Sequence, residues 1–234
     1  MTRFLRSLVV VAASAGSAFG ALAPGAAADG PVQVFPGMEI RQGTTVCTLG
    51  FVDPVARVGY SAGHCRGTGT VTDRDGRTIG VVTTARDNTP DGTVVRTDEV
   101  ISDYETIALA ANVTVSTFLP DGRQLVADPG APLAAGQPIC HFGVVSGQSC
   151  GTVERVNNGW FTMTNGVVSQ KGDSGGPVYT LSDNGTAMMI GLLTMLAVIS
   201  AVLVWQWQPH RGPVLVTALW IGQVAAGAAA SGVG

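Results

Sequence analysis

The chain has 234 residues, of which 46% are hydrophobic and only 12% charged, with 32 glycines, 12 prolines and four cysteines. With 13 basic against 16 acidic residues the formal net charge is −3, and no cluster of Lys and Arg forms the footprint a nucleic-acid binder needs. So apolar a chain buries enough surface to offset its ordering entropy, which excludes intrinsic disorder, while the scarcity of charge keeps a membrane-embedded part in play.

At the amino terminus Arg3 and Arg6 precede an apolar stretch from Leu8 to Ala23. Ala26-Ala27-Ala28, ahead of Asp29, has the small-x-small pattern of a signal-peptidase site, and Ala21-Leu22-Ala23 is a second candidate. Residues 1–28 are read as a signal peptide cleaved near Ala28, with an uncleaved anchor as the alternative. Export places residues 29–234 outside the cytoplasm, extracellular or in the cell envelope, where disulfides persist. Cleavage removes two of the basic residues and no acid, so the mature domain is more acidic than the precursor.

Apolar or β-branched runs then alternate with turn signals. They are Thr44–Val52, Val55–Ser61, Gly69–Thr72, Thr78–Thr84, Gly92–Arg96 and Thr106–Ala110, and later Pro138–Phe142, Gly151–Val156, Trp160–Thr164, Pro177–Leu181, Ala187–Thr194 and Val214–Leu219. Asp75-Gly76, Pro90-Asp91-Gly92, Pro120-Asp121-Gly122, Asn157-Asn158-Gly159 and Asp183-Asn184-Gly185 punctuate them. Short strands with hairpin turns at this spacing predict an all-β sandwich or barrel. The loop from Leu119 to Gly136 reads as a linker between two halves. Asp73-Arg74-Asp75-Gly76 looks like the opening of a calcium loop but lacks the later ligands, so it reads as a turn. Sequons at Asn112 and Asn184 decide nothing.

Cys47, Cys65, Cys140 and Cys150 allow three connectivities, of which the sequence-local one closes two short loops. No Cys-x-x-Cys or His-x-x-x-His spacing supports zinc, so the cysteines read as staples and no metal is expected. The stretch from Ala187 to Trp205 is 19 residues without a charge, long enough to cross a bilayer or to form two core strands. Core strands are the preferred reading, and a membrane anchor or a degenerate tail the alternatives.

Three separated segments carry chemistry. In Gly172-Asp173-Ser174-Gly175-Gly176-Pro177, glycines flank a serine, and a tight turn there exposes the hydroxyl and aims the Gly172 and Ser174 amides at one point, as an oxyanion hole requires. A serine needs a base, and of His64, His141 and His210 the first sits in Ser61-Ala62-Gly63-His64-Cys65, beside a cysteine that pins its backbone. The base needs a buried carboxylate, and Asp103, ahead of a strand, is the candidate.

By Ala62-Gly63-His64-Cys65, Gly172-Asp173-Ser174-Gly175-Gly176-Pro177 and Asp103 with the Ile107 and Leu109 spacing, the sequence resembles the chymotrypsin-like, trypsin-family (S1) serine peptidases. Cys140-His141-Phe142-Gly143 followed by Ser149-Cys150-Gly151-Thr152-Val153 is similar to the disulfide loop of the secreted bacterial branch, the streptogrisins and α-lytic protease. The likeness is good from about residue 40 to 181 and poor afterwards, and Glu105 stands where the family has a small or apolar residue. The resemblance implies two six-stranded antiparallel β-barrels, over about residues 38–118 and 136–222, with the active site between them and a short carboxy-terminal helix over Trp220–Ala230. It implies a monomeric secreted endopeptidase acting on protein or peptide substrates by acyl transfer, without cofactor. His64, Asp103 and Ser174 would form the triad, Gly172 and Ser174 the oxyanion hole, and Val168 and Ser169 the base of a pocket for a medium apolar side chain. Asp173 would need a buried cation, for which His141 is the candidate partner, with a surface imidazole as the alternative. The alternatives are a catalytically silent binding protein on this fold and a protease tethered by residues 187–205.

Overall fold

Burial alternates along Glu39–Gln42, Phe51–Asp53 and Val58–Ser61 of the amino-terminal half, while Asp103–Leu109 is buried almost throughout. The computed structural model describes residues 30–89, 94–127, 132–195, 197–198 and 216–220. The expected signal peptide and, past Trp220, the expected terminal helix lie outside the described residues. Seven strands follow in order: β1 (Glu39–Gln42), β2 (Thr45–Thr48), β3 (Phe51–Asp53), β4 (Val58–Ser61), β5 (Val71–Thr72), β6 (Thr78–Asp87) and β7 (Asp103–Leu109). They hydrogen-bond antiparallel in the order β2-β1-β5-β6-β7-β4-β3. Because β2 and β3 are halves of one run broken at Leu49-Gly50, the two edges of this sheet are joined by the chain itself and the sheet closes into a six-stranded barrel. Ile40, Leu49, Val52, Val71, Ile79 and Ile107 fill it, all fully buried.

The second half contains β8 (Leu125–Ala127), β9 (Pro138–Gly143), β10 (Gly147–Val156), β11 (Trp160–Thr164), β12 (Pro177–Leu181), β13 (Ala187–Met195) and β14 (Val216–Trp220). The order is β8-β13-β12-β9-β10-β11-β14, and β13 also pairs with β14, so six of these strands form a closed ring. Strand β8, which lies inside the expected linker, is a parallel addition to β13 outside that ring. Ile139, Val153, Phe161, Val178, Ile190 and Leu193 form the interior of the ring.

The chain therefore has the chymotrypsin-like double-barrel fold expected from its sequence. A cluster of Tyr104 from β7 with Leu125, Tyr179, Met189 and Leu192, joined by Phe51 and Tyr60, packs one barrel against the other. Trp160 adds a second tie, donating its indole N–H to the Glu99 carbonyl at 2.9 Å.

For the uncharged stretch, the structure decides against a transmembrane helix over residues 187–195. Strand β13 pairs with β12 on one side and β14 on the other. Its apolarity serves the barrel interior through Ile190 and Leu193 and the contact between barrels through Leu192, all at most 1% exposed. Among the described residues no helix is long and apolar enough to cross a membrane; residues 199–205 lie outside them.

Two boundaries moved in a way that matters for the site. Strand β7 starts at Asp103, three residues before the expected Thr106, so the aspartate lies within the strand and is fully buried. Strand β1 had no apolar run to announce it, because one of its two inward positions is Gln42, buried through a polar contact described below.

Candidate active site

His64 occupies a single 3-10 turn, Gly63–Cys65, directly after β4. The turn is held at one end by β7: the Asp103 Oδ1 accepts the His64 backbone N–H at 2.8 Å, while Oδ2 lies 2.7 Å from His64 Nδ1. One fully buried carboxylate thus fixes both the main chain and the ring of His64, whose side chain keeps 28% of its surface exposed. An Nδ1–H donated to the carboxylate leaves Nε2 as the basic nitrogen. The Thr194 hydroxyl, from β13 of the other barrel, also donates to Asp103 Oδ2.

Ser174 is brought to this pair by the Cys47–Cys65 disulfide, whose cysteines adjoin Thr48 and His64. The Thr48 N–H donates to the Ser174 carbonyl at 2.8 Å, and Cys65 Sγ lies 3.8 Å from the same oxygen. The serine turn depends on its glycines. Gly172 has φ +107° and Gly175 φ +82°, and a Cβ on Gly175 would come within 2.1 Å of the Ser61 hydroxyl and 2.7 Å of the Thr48 carbonyl. Among the described residues neither the Gly172 nor the Ser174 amide donates to a protein acceptor, and free amides of this kind are what an oxyanion site presents.

Thr48 does more than contact Ser174. Its buried hydroxyl donates to the Gly172 carbonyl at 2.9 Å and accepts the Val144 N–H at 3.0 Å, tying the serine turn of the second barrel to β2 of the first.

The expected His141–Asp173 pair does not form. Asp173, fully buried, accepts the N–H groups of Val145 and Ser146 on Oδ1 at 2.9 and 3.0 Å and of Gln170 on Oδ2 at 2.7 Å. Three amides satisfy the carboxylate without a cation. His141, equally buried, donates Nε2–H to the Val168 carbonyl at 2.7 Å, and its Nδ1 has no partner. Burial pushes its pKa down against the smaller upward pulls of the Val168 bond and the Asp173 charge, which favours the neutral ring.

Of the expected pocket residues, Val168 is exposed and held at both backbone ends, by His141 and by a 2.7 Å bond from its N–H to Ser149 Oγ. Ser169 is buried with an unpartnered hydroxyl. The disulfides are Cys47–Cys65 and Cys140–Cys150, and the second joins paired positions of β9 and β10. The ligand atoms of Cys47, His64 and Cys65 lie within 4.8 Å of one another, but both sulfurs are committed to a disulfide and neither offers a thiolate.

Sequence reasoning missed Thr194, Thr48 and the amides that hold Asp173. Only Thr194 left a signal, as the lone hydroxyl between Ala187 and Val198.

Over 169 residues the chain is 58% identical to Uncharacterized protein Rv1815 of Mycobacterium tuberculosis, a match covering 72% of this chain and 76% of the relative. The chain belongs to the Rv1815 family. A second relative, Uncharacterized protein Rv1591 of the same organism, is 53% identical over 47 residues, 20% of this chain and 24% of that one. The family described as "Protein of unknown function (DUF2567)" matches residues 182–234, the part that includes β13 and β14.

Among solved structures, Thermobifida fusca protease A is 19% identical with a TM-score of 0.60, covering 85% of this chain and 97% of that one. A glutamic acid specific serine protease using a histidine triad in substrate binding is 18% identical with a TM-score of 0.59, covering 84% and 98%. An inactivated protease paralogue of the scabies mite is 12% identical with a TM-score of 0.54, covering 83% and 94%. At these identities the likeness establishes that this Rv1815 relative has a serine protease fold.

Proposed function

We propose that the chain is a serine endopeptidase, secreted after removal of residues 1–28 and acting as a monomer on protein or peptide substrates. The observation that carries this reading is the double grip of the buried Asp103 carboxylate on the His64 main chain and Nδ1. It presents Nε2 as a base beside a serine turn that the glycines of Gly172–Pro177 hold open.

In the proposed reaction Ser174 Oγ attacks the scissile carbonyl as His64 Nε2 takes its proton, and Asp103 stabilises the imidazolium. The Gly172 and Ser174 amides receive the oxyanion. His64 then protonates the leaving amine, and water, activated by the same base, releases the acyl group. None of these steps calls on a metal or organic cofactor. Exposed Val168 and buried Ser169, with no acid between them, fit a medium apolar side chain in the specificity pocket.

The test is labelling of the oxidised, folded protein by a fluorophosphonate probe, with Ser174→Ala as control. Labelling that vanishes in the variant supports the reading. Folded protein that takes no label overturns it and leaves a binding protein on a protease fold.

A further inference from the structure

Strand β7 carries a second buried carboxylate. Glu105 lies two residues beyond Asp103, on the same side of the strand, and both are 0% exposed. They are not equally provided for. Asp103 takes three donors: the His64 N–H, His64 Nδ1 and the Thr194 hydroxyl. Glu105 takes one, the Gln42 side-chain amide, 2.5 Å from Oε1, and its Oε2 has no partner. A buried carboxylate with one donor for two oxygens in a dry interior favours its protonated form, which is the case of Glu105.

The single contact of Glu105 leads back to the base. The other end of the Gln42 amide, Oε1, accepts the Gly67 N–H at 3.0 Å. Gly67 ends the short segment that begins with the His64 turn, and it sits so close to Gln42 that a Cβ would come within 2.3 Å of the Gln42 carbonyl oxygen. Strand β7 therefore grips the histidine segment twice, through Asp103 at His64 and through Glu105 and Gln42 at Gly67.

We propose that Glu105 is a positioning residue for His64: as a neutral acid it holds the far end of the histidine segment through Gln42, and its ionisation releases that end. The proposal rests on the catalytic reading of His64 given above. Burial, helped by the Asp103 charge and opposed by the Gln42 bond and the charges of His64 and Arg66, raises the Glu105 pKa to about 8. The residues paired with Glu105 on the flanking strands are Ser61 and Ala85, neither of them charged. When the proton leaves, Oε1 becomes a stronger acceptor for the Gln42 amide, but the anion faces Asp103 with Oε2 undonated, so the carboxylate swings toward water and draws the Gln42 amide with it. That movement takes Gln42 from the Gly67 N–H and breaks the second grip.

The experiment follows the rate of fluorophosphonate labelling from pH 6 to 10 in the full chain. With one ionisation removing the competent form, the rate for the native protein falls about fivefold between pH 8 and 9. Glu105→Gln, which keeps an acceptor for Gln42 and never ionises, changes less than about twofold over that interval. Gln42→Met, which cuts the link and keeps Glu105, slows labelling about fivefold or more at pH 7.

Equal alkaline limbs in the native and Glu105→Gln proteins, or a Gln42→Met protein that labels at the native rate, overturn the proposal. A measurement independent of catalysis separates its failure from that of the peptidase reading. In a Ser174→Ala background, the proton-NMR titration of the His64 ring shows a second inflection near pH 8 that Glu105→Gln abolishes. Labelling without that inflection defeats the positioning role alone. The inflection without labelling supports the coupling of Glu105 to His64 and defeats the peptidase.

Discussion

Replacing Thr194 by valine removes one hydroxyl and changes almost nothing else, because the side chain is β-branched in both cases and 1% exposed. The hydroxyl donates to Asp103 Oδ2, so the variant leaves a fully buried carboxylate with two donors instead of three. A hydrogen bond to a charged acceptor contributes about 1.5–3 kcal/mol. The methyl that replaces the hydroxyl returns up to about 0.8 kcal/mol of apolar burial. The net loss is about 1–2 kcal/mol, a fall of about 3–6 °C in Tm for a domain of this size. Thr194→Ser is the informative control, since it keeps the donor and sacrifices the methyl, with a stability cost of similar size. Stability alone therefore does not separate the two variants, but the labelling rate does. Without the Thr194 donor the carboxylate is less able to stabilise the imidazolium, and a loss of about 1.4 kcal/mol there is tenfold in rate. Differential scanning calorimetry and fluorophosphonate labelling read both quantities. A valine variant that labels as fast as the serine variant would refute the assignment of Thr194 as a support of Asp103.

Gly175→Ala places a methyl 2.1 Å from the Ser61 hydroxyl at a φ of +82°, so we expect a loss above about 3 kcal/mol in urea unfolding and failure of the serine turn; a near-native midpoint contradicts the packing described. Burial holds the His141 pKa below its ordinary 6.5, so the unfolded chain takes up a proton that the folded chain refuses. Stability is then full above that value and falls as the pH drops below it. The urea midpoint of the native protein should drop more steeply from about pH 7 to pH 5 than that of His141→Gln, and parallel curves would show that His141 is not kept neutral.

The strands that could be read in advance were those whose apolar residues alternate or run together, such as Trp160–Thr164 and Pro177–Leu181, found where expected. Strand β1 was not legible because Gln42 faces inward, paid for by a partner 63 residues away. The expectation of a His141–Asp173 pair came from the resemblance, which places a buried cation beside Asp173. It failed because backbone amides, which every residue carries, do the holding. Residue identity cannot signal a donor that all residues share.

The sequence by itself determined the chemistry on offer. It named the serine in its glycine turn, the histidine beside a cysteine and an aspartate ahead of a strand, because nucleophile, base and orienting acid are properties of side chains and local turns. It left the cysteine pairing and the uncharged stretch after Ala187 open. The tertiary structure decided the first, and the second over residues 187–195, since each is a question of which distant segments share a barrel wall. Strand β13 lies between β12 and β14, so residues 187–195 of that stretch belong to the barrel wall, and one of them, Thr194, reaches the Asp103 carboxylate from the opposite barrel. Packing also separated two equally buried acids of one strand, giving Asp103 three donors and Glu105 one, a difference that no spacing of letters contains.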